Sequence, residues 1–288
     1  MAAEAHRPQP GGSPADEPPH DVAVVIQAGA AAKSPLFCIH AEAGDVSLYY
    51  GLARHLPSDQ PLLGLCAPAA EELGSDAPMQ RIAELHVQRI RAAQSSGPYL
   101  ILGECTGGAL AYEIAQQITD AGEEVALLAL IDAFAPGLPR LHKYMPRALY
   151  RVAHRLRILG FHLQNLIRLS VRDRLAYVVA KLGRARLAAA GKASALRGRA
   201  AATTSPRVSF ARALAGYTPK PYGGSLVLIR ASSLPIGIEP APDMGWATLS
   251  RHLQIETVPG YFTTPISEPG VQILAQKLCQ YLASAPVR

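Results

Sequence analysis

The segment Gly103-Glu104-Cys105-Thr106-Gly107 follows directly on the apolar run Tyr99-Leu100-Ile101-Leu102. The pattern predicts a strand, a sharp Gly-bounded turn and a helix, with a thiol at the apex. Such a turn lifts its side chain above the sheet edge. The Thr106 amide then faces a developing oxyanion, and the helix N-terminal field favours the thiolate. This is equipment for holding an acyl group on sulfur. Glu104 opposes that field if its carboxylate points inward. Asp132 ends the apolar run Val125–Ile131, 27 positions after Cys105, where neighbouring strand ends meet. Its usual task beside a nucleophile is to orient a histidine. In the order nucleophile, acid, histidine that base belongs near the C-terminus, yet no histidine follows His252. The plainer readings are a structural Gly-rich turn with an inert cysteine, and a turn aspartate at a strand end.

The elements that must position these residues follow from hydrophobic periodicity. Pro35–His40 predicts a buried strand, with a loop at 41–45. Val46–Leu56 predicts a helix and Pro61–Cys66 a strand. Residues 79–94 predict a helix with Ile82, Leu85, His86 and Ile90 at helical spacing. Thr106–Asp120 is the helix after the turn. Ser225–Arg230 and Leu253–Val258 read as further strands, and 267–282 as a last helix. Apolar strands alternating with helices predict a mostly parallel, doubly wound α/β sheet covered on both faces.

The 288 residues suffice for one such domain with an insertion. Residues 1–29 are rich in Pro and Gly and predict a disordered leader or linker. They lack the pattern of a signal peptide, and no run is long and apolar enough for a transmembrane segment. Residues 30–136 read as the first part of the core, 137–205 as a basic helical lid, and 206–288 as the second part. Residues 140–207 hold 16 of the 28 Lys and Arg and a single acid, Asp173, a charge of about +15 on an acidic remainder. That face is either solvated or meets something anionic: a phosphate-bearing arm, an acidic carrier protein or a membrane. Sparse aromatics and the lack of a recognition motif argue against nucleic acid. Cys38, Cys66 and Cys279 read as small buried thiols. The cysteine spacing fits neither a metal site nor a disulfide framework, which leads us to expect a cytoplasmic setting and no bound metal or cofactor.

Four pieces together make a more specific pattern. They are Pro35-Leu36-Phe37-Cys38-Ile39-His40 with Gly44; Gly103-Glu104-Cys105-Thr106-Gly107-Gly108; Leu130-Ile131-Asp132-Ala133-Phe134-Ala135-Pro136; and Gly245-Trp246 with Val258-Pro259-Gly260. Over roughly 33–283 the chain resembles the type I thioesterase domains that release products from non-ribosomal peptide and polyketide synthases. The resemblance implies the α/β-hydrolase fold with a helical lid. It also implies Asp132 as catalytic acid, and a substrate delivered on the phosphopantetheine arm of an acyl or peptidyl carrier protein. The chain departs from that family in three ways. Cys105 stands where serine is usual. The base position, two residues after Gly260, holds Phe262. The loop after His40, which would supply the second oxyanion amide from Ala41 or Glu42, carries an acid. Glu42 either repels the oxyanion or substitutes as a base. His40 is expected to be structural rather than a substitute base. Among further histidines, His142, His154 and His162 fall in the lid, and His252 reads as a surface residue. Tyr144, Met145, Leu149, Phe161 and Leu166 are candidate lid contacts.

A cysteine with no histidine favours transfer or cyclisation, to an amine or internal nucleophile, over hydrolysis. The resemblance leaves two other readings open: an inactive domain kept for carrier docking or substrate holding, and a stand-alone editing thioesterase.

Overall fold

The computed structural model describes residues 23–74, 76–139, 146–168, 206–235, 237–238 and 242–284. Seven strands form one sheet: β1 (Val24–Gln27), β2 (Leu36–Ile39), β3 (Leu62–Leu65), β4 (Tyr99–Glu104), β5 (Val125–Ile131), β6 (Tyr222–Ser233) and β7 (Ser250–Tyr261). Their order is β1-β3-β2-β4-β5-β6-β7. β1 pairs antiparallel to β3, and every other pair is parallel. The helices are α1 (Tyr49–Ala53), α2 (Ala70–Leu73), α3 (Met79–Ala93), α4 (Gly107–Asp120), α5 (Arg147–Arg168), α6 (Pro206–Ala215) and α7 (Gly270–Ser284).

Every residue of β2 and β4 is buried, as central strands of a two-sided sheet require. Side chains alternate between two cores. Phe37, Ile39, Ile101, Leu128 and Leu130 face α3, α4 and α6. Leu36, Cys38, Leu100, Leu102 and Ile131 face α1 and α7. This is the doubly wound α/β sheet that the periodicity predicts, with β4 at its centre.

The differences from expectation lie at exposed edges. β1 falls inside the segment predicted to be a disordered leader. Val24 and Val25 are exposed, so this strand is held by pairing with β3 rather than by burial. Residues 1–22 lie outside the described residues. β6 and β7 run well past their apolar centres because they pair with each other from Tyr222–Ser250 to Ser233–Tyr261. The helix predicted over Val46–Leu56 is only the short α1, flanked by turns. The last helix starts at Gly270, directly after Pro269, a residue that suits a helix start and not its interior. Of the segment read as a lid, 140–145 and 169–205 lie outside the described residues. α5 lies within it and reaches the C-terminal end of β7 through Tyr150, His154 and Tyr261.

Candidate active site

Cys105 sits where β4 turns into α4, with φ +50°. That left-handed conformation costs a non-glycine residue about 1 kcal/mol and is held here by its surroundings. The Cys105 amide donates to the Ile131 carbonyl at 2.9 Å, and its carbonyl accepts from Gly108 at 3.1 Å. Three glycines allow the close approach. A Cβ on Gly103 would lie 2.6 Å from the Gly107 carbonyl oxygen, one on Gly107 2.5 Å from that of His40, and one on Gly108 2.3 Å from Ala133 Cβ. The Gly-rich spacing is therefore steric: it lets α4 rest against the ends of β2, β4 and β5.

The thiol is half-buried. Burial pushes it up to about 12, the nearby carboxylates of Glu104, Asp132 and Glu42 push the same way, and the Thr106 amide opposes them. The helix-terminal field expected to ionise the thiol is overridden. Near pH 7 the cysteine carries its proton and needs an acceptor for it.

Asp132 follows β5, fully buried and also in the left-handed region at φ +43°. One carboxylate oxygen accepts the Ala231 amide at 2.6 Å, and the other accepts the Thr263 amide at 2.7 Å. Burial raises it to about 6, against the pull of those two amides and of Arg230. Trp246 braces the chain just beyond, donating its indole N–H to the Ala133 carbonyl at 2.8 Å. Phe262 immediately precedes Thr263, whose amide Asp132 accepts. Its amide donates to Ser233 at 2.9 Å, and its ring packs on Phe134 with centroids 5.4 Å apart. The acid thus grips the loop that carries Phe262.

The loop after β2 closes over α4. The Glu42 amide donates to Thr106 Oγ1 at 3.0 Å, and the Glu42 carboxylate meets Arg207 at 3.1 Å. The Ala41 carbonyl accepts from Gly44 at 2.9 Å and from His40 Nδ1 at 2.8 Å. The His40 ring is buried between His86 and Phe210, both at 5.2 Å between centroids. Burial lowers it to about 4, with the Arg89 charge adding and the Ala41 carbonyl and Asp45 opposing. His154 pairs with the Tyr261 hydroxyl at 2.8 Å, and His252 is exposed on β7. His142, Tyr144 and Met145, and the side chains of Phe161, His162 and Leu166, lie outside the described residues. Leu149 is exposed on α5. Among the described residues no histidine bonds to Asp132 or Cys105.

Two features were not settled by the sequence. Glu104 is buried at the end of β4, where the sequence left open which way its carboxylate points. His86 is fully buried with neither ring nitrogen hydrogen-bonded. Its place on the apolar stripe of α3, between Ile82 and Ile90, was the available signal. Among the described residues no group of three or more His, Cys, Asp or Glu could hold a metal ion, and no helix is long and apolar enough to cross a membrane.

A family model described as a thioesterase domain matches residues 34–214. Malpinin synthetase of Mortierella alpina is 40% identical over 101 residues, covering 35% of this chain and 1% of that protein. A dimodular nonribosomal peptide synthase of Bacillus subtilis (strain 168) is 37% identical over 105 residues, covering 35% of this chain and 4% of that protein. The chain thus spans a small fraction of the length of these relatives. Among solved structures, the NocB thioesterase domain from the nocardicin cluster aligns with a TM-score of 0.58 at 22% identity, covering 88% of this chain and 96% of that one. The RedJ thioesterase from the prodiginine pathway of Streptomyces coelicolor aligns at 0.55 and 20% identity, covering 95% and 91%. These structural likenesses carry the α/β-hydrolase-type fold.

Proposed function

The chain belongs to the thioesterase domain family, and from that premise we propose that it is a release enzyme working through a cysteine. It takes an acyl or peptidyl chain from the phosphopantetheine thioester of a carrier protein onto Cys105. It then passes the chain to an amine, an internal nucleophile or water, with transfer or cyclisation favoured. The observation that carries the reading is the pairing of Cys105 at the strand–helix turn with Phe262 at the base position.

In the first step Cys105 Sγ attacks the carrier-bound carbonyl. The Sγ–C bond forms, the carbonyl carbon's bond to the pantetheine sulfur breaks, and the thiol proton leaves with the pantetheine thiol. One thioester replaces another, so little driving force is lost. The Thr106 amide serves the oxyanion, with Ala41 supplying a second amide from the loop that Thr106 Oγ1 holds by accepting the Glu42 amide. Asp132 keeps the Phe262 loop and the end of β6 in place through its two amide bonds. Water attacking the acyl-cysteine needs a base, and phenylalanine cannot be one. A neutral amine is already nucleophilic, which favours acceptors other than water. The basic segment 140–207 suits the phosphate of the arm or the acids of a carrier. A second reading, a non-catalytic domain that binds carriers, draws support from the protonated state of the Cys105 thiol near pH 7.

Intact-protein mass spectrometry of the chain mixed with acyl-pantetheine separates the two. The release reading expects an acyl adduct that C105A lacks and that persists until an amine is added. A folded chain that gains no adduct from several acyl types would leave the non-catalytic reading.

A further inference from the structure

The release reading asks for two amides held in fixed relation, one at the start of α4 and one on the loop after β2. The chain alone does not fix that relation, because Glu42 and Thr106 are 64 positions apart. Something must tie the loop to the helix.

Thr106 makes that tie with its side chain. It stands at the N-cap of α4, where a threonine oxygen ordinarily accepts an amide of its own first turn. Here the side chain makes no such bond. Its Oγ1 accepts the Glu42 amide instead, at 3.0 Å. The other end of that peptide group is held as well. The Ala41 carbonyl accepts the Gly44 amide at 2.9 Å and the His40 Nδ1–H at 2.8 Å. The His40 ring is anchored in turn by His86 and Phe210. One peptide group back, the His40 carbonyl rests against α4, where a Cβ on Gly107 would come within 2.5 Å of it. The Ala41 amide belongs to this second group and so lies between two fastened peptide planes. It has no hydrogen bond among the described residues, whereas the Glu42 amide is committed to Thr106. A local capping preference set aside for a long-range bond is the kind of departure that marks functional sites.

We propose that the Thr106 side chain is a positioning residue for acyl transfer. Its hydroxyl holds the loop that carries the Ala41 amide in register with its own backbone amide, so that both serve the oxyanion. This rests on the reading of Cys105 as nucleophile. The hydroxyl forms no bond to substrate and moves no proton. Its effect comes through geometry: oxyanion donors act because they are preorganised, and a misplacement of about 1 Å can cost on the order of a hundredfold. Valine keeps the shape of threonine but cannot accept an amide. Serine can.

The test compares the full chain with T106V, T106S and C105A, the last assigning each adduct to Cys105. Single-turnover acylation is followed over a range of octanoyl-pantetheine concentrations. Alkylation of Cys105 by iodoacetamide, which builds no oxyanion, is followed beside it. Hydrogen exchange of the Glu42 amide is read by NMR. T106V is expected to acylate about tenfold more slowly at saturation. Its half-saturating concentration and its alkylation rate are expected to stay within about twofold of wild type, while its Glu42 amide exchanges faster. T106S is expected to restore both acylation and protection of that amide. Equal acylation in T106V, or faster acylation from a freed Glu42 amide, would overturn the Thr106 role while leaving Cys105 as nucleophile. A parallel fall in acylation and alkylation, or a T106S chain as slow as T106V, would do the same by making Thr106 part of the turn's structure. A wild-type chain that is alkylated at Cys105 but never acylated would overturn the release reading and the Thr106 role together.

Discussion

Asp132 Oδ2 accepts the Thr263 amide at 2.7 Å, so the acid after β5 is bonded to the residue immediately following Phe262. The same carboxylate accepts the Ala231 amide at 2.6 Å. Removing it strands two backbone donors in a buried setting, each costing about 1–3 kcal/mol. D132A is therefore expected to lose about 2–5 kcal/mol in urea unfolding. D132N, which keeps one acceptor oxygen, is expected to lose roughly half as much. A D132A chain as stable as wild type would mean that this carboxylate does not hold the Phe262 loop.

The loop that Asp132 holds carries the Phe262 ring, at the position we propose a base would otherwise fill. Each carboxylate oxygen has a second lone pair, so Asp132 can accept one more bond without releasing its amides. F262H is expected to gain hydrolysis of the acyl-cysteine by about a hundredfold, with some stability lost as the contact with Phe134 goes. The check is the decay rate of the acyl adduct followed by mass spectrometry. An adduct that decays no faster in F262H would argue that the ring position does not limit hydrolysis.

The central strands and the turn at Cys105 were readable because buried parallel strands are continuous apolar runs and the glycines obey a steric demand. β1 was not, since Val24 and Val25 are exposed and their strand is set by hydrogen bonds to β3. The state of the thiol was not readable either. The helix field is a local property of the motif. The burial that outweighs it, and the Asp132 and Glu42 charges that add to it, come together only in the fold. Glu42 shows the same limit: its partner Arg207 is 165 positions away.

Glu104 also leaves a signature in stability. Its folded carboxyl titrates at about 8 against an ordinary value of 4.5. Between those values the native chain keeps a proton that the unfolded chain has released, so stability falls as pH rises across the interval and stays low above it. E104Q cannot ionise. Its stability relative to wild type is expected to grow from pH 5 to pH 8.5, reaching a few kcal/mol. Urea midpoints at those two pH values check this. A constant difference would mean that the carboxyl is solvated in the native chain.

The buried His40–His86 pair works in the opposite sense. Burial lowers His40 to about 4 and holds His86 well below its ordinary 6.5, with His40 and Arg89 adding to the effect on His86. As pH falls below 6.5 the unfolded chain takes up protons that the native chain refuses, so the pair costs stability on the acid side. Asp132 and Glu104 gain stability over part of the same window, which masks the effect in the wild-type curve alone. Comparison with H86L removes the mask, because both chains carry the same carboxyls. Neither nitrogen of His86 has a hydrogen-bond partner, and leucine fills the site without a buried polar atom. H86L is expected to match or exceed wild-type stability at pH 7.5, and its advantage should widen by about 1–3 kcal/mol at pH 5. An advantage that does not change with pH would show that His86 takes up its proton in the fold as readily as in the unfolded chain, and so is not held neutral by burial.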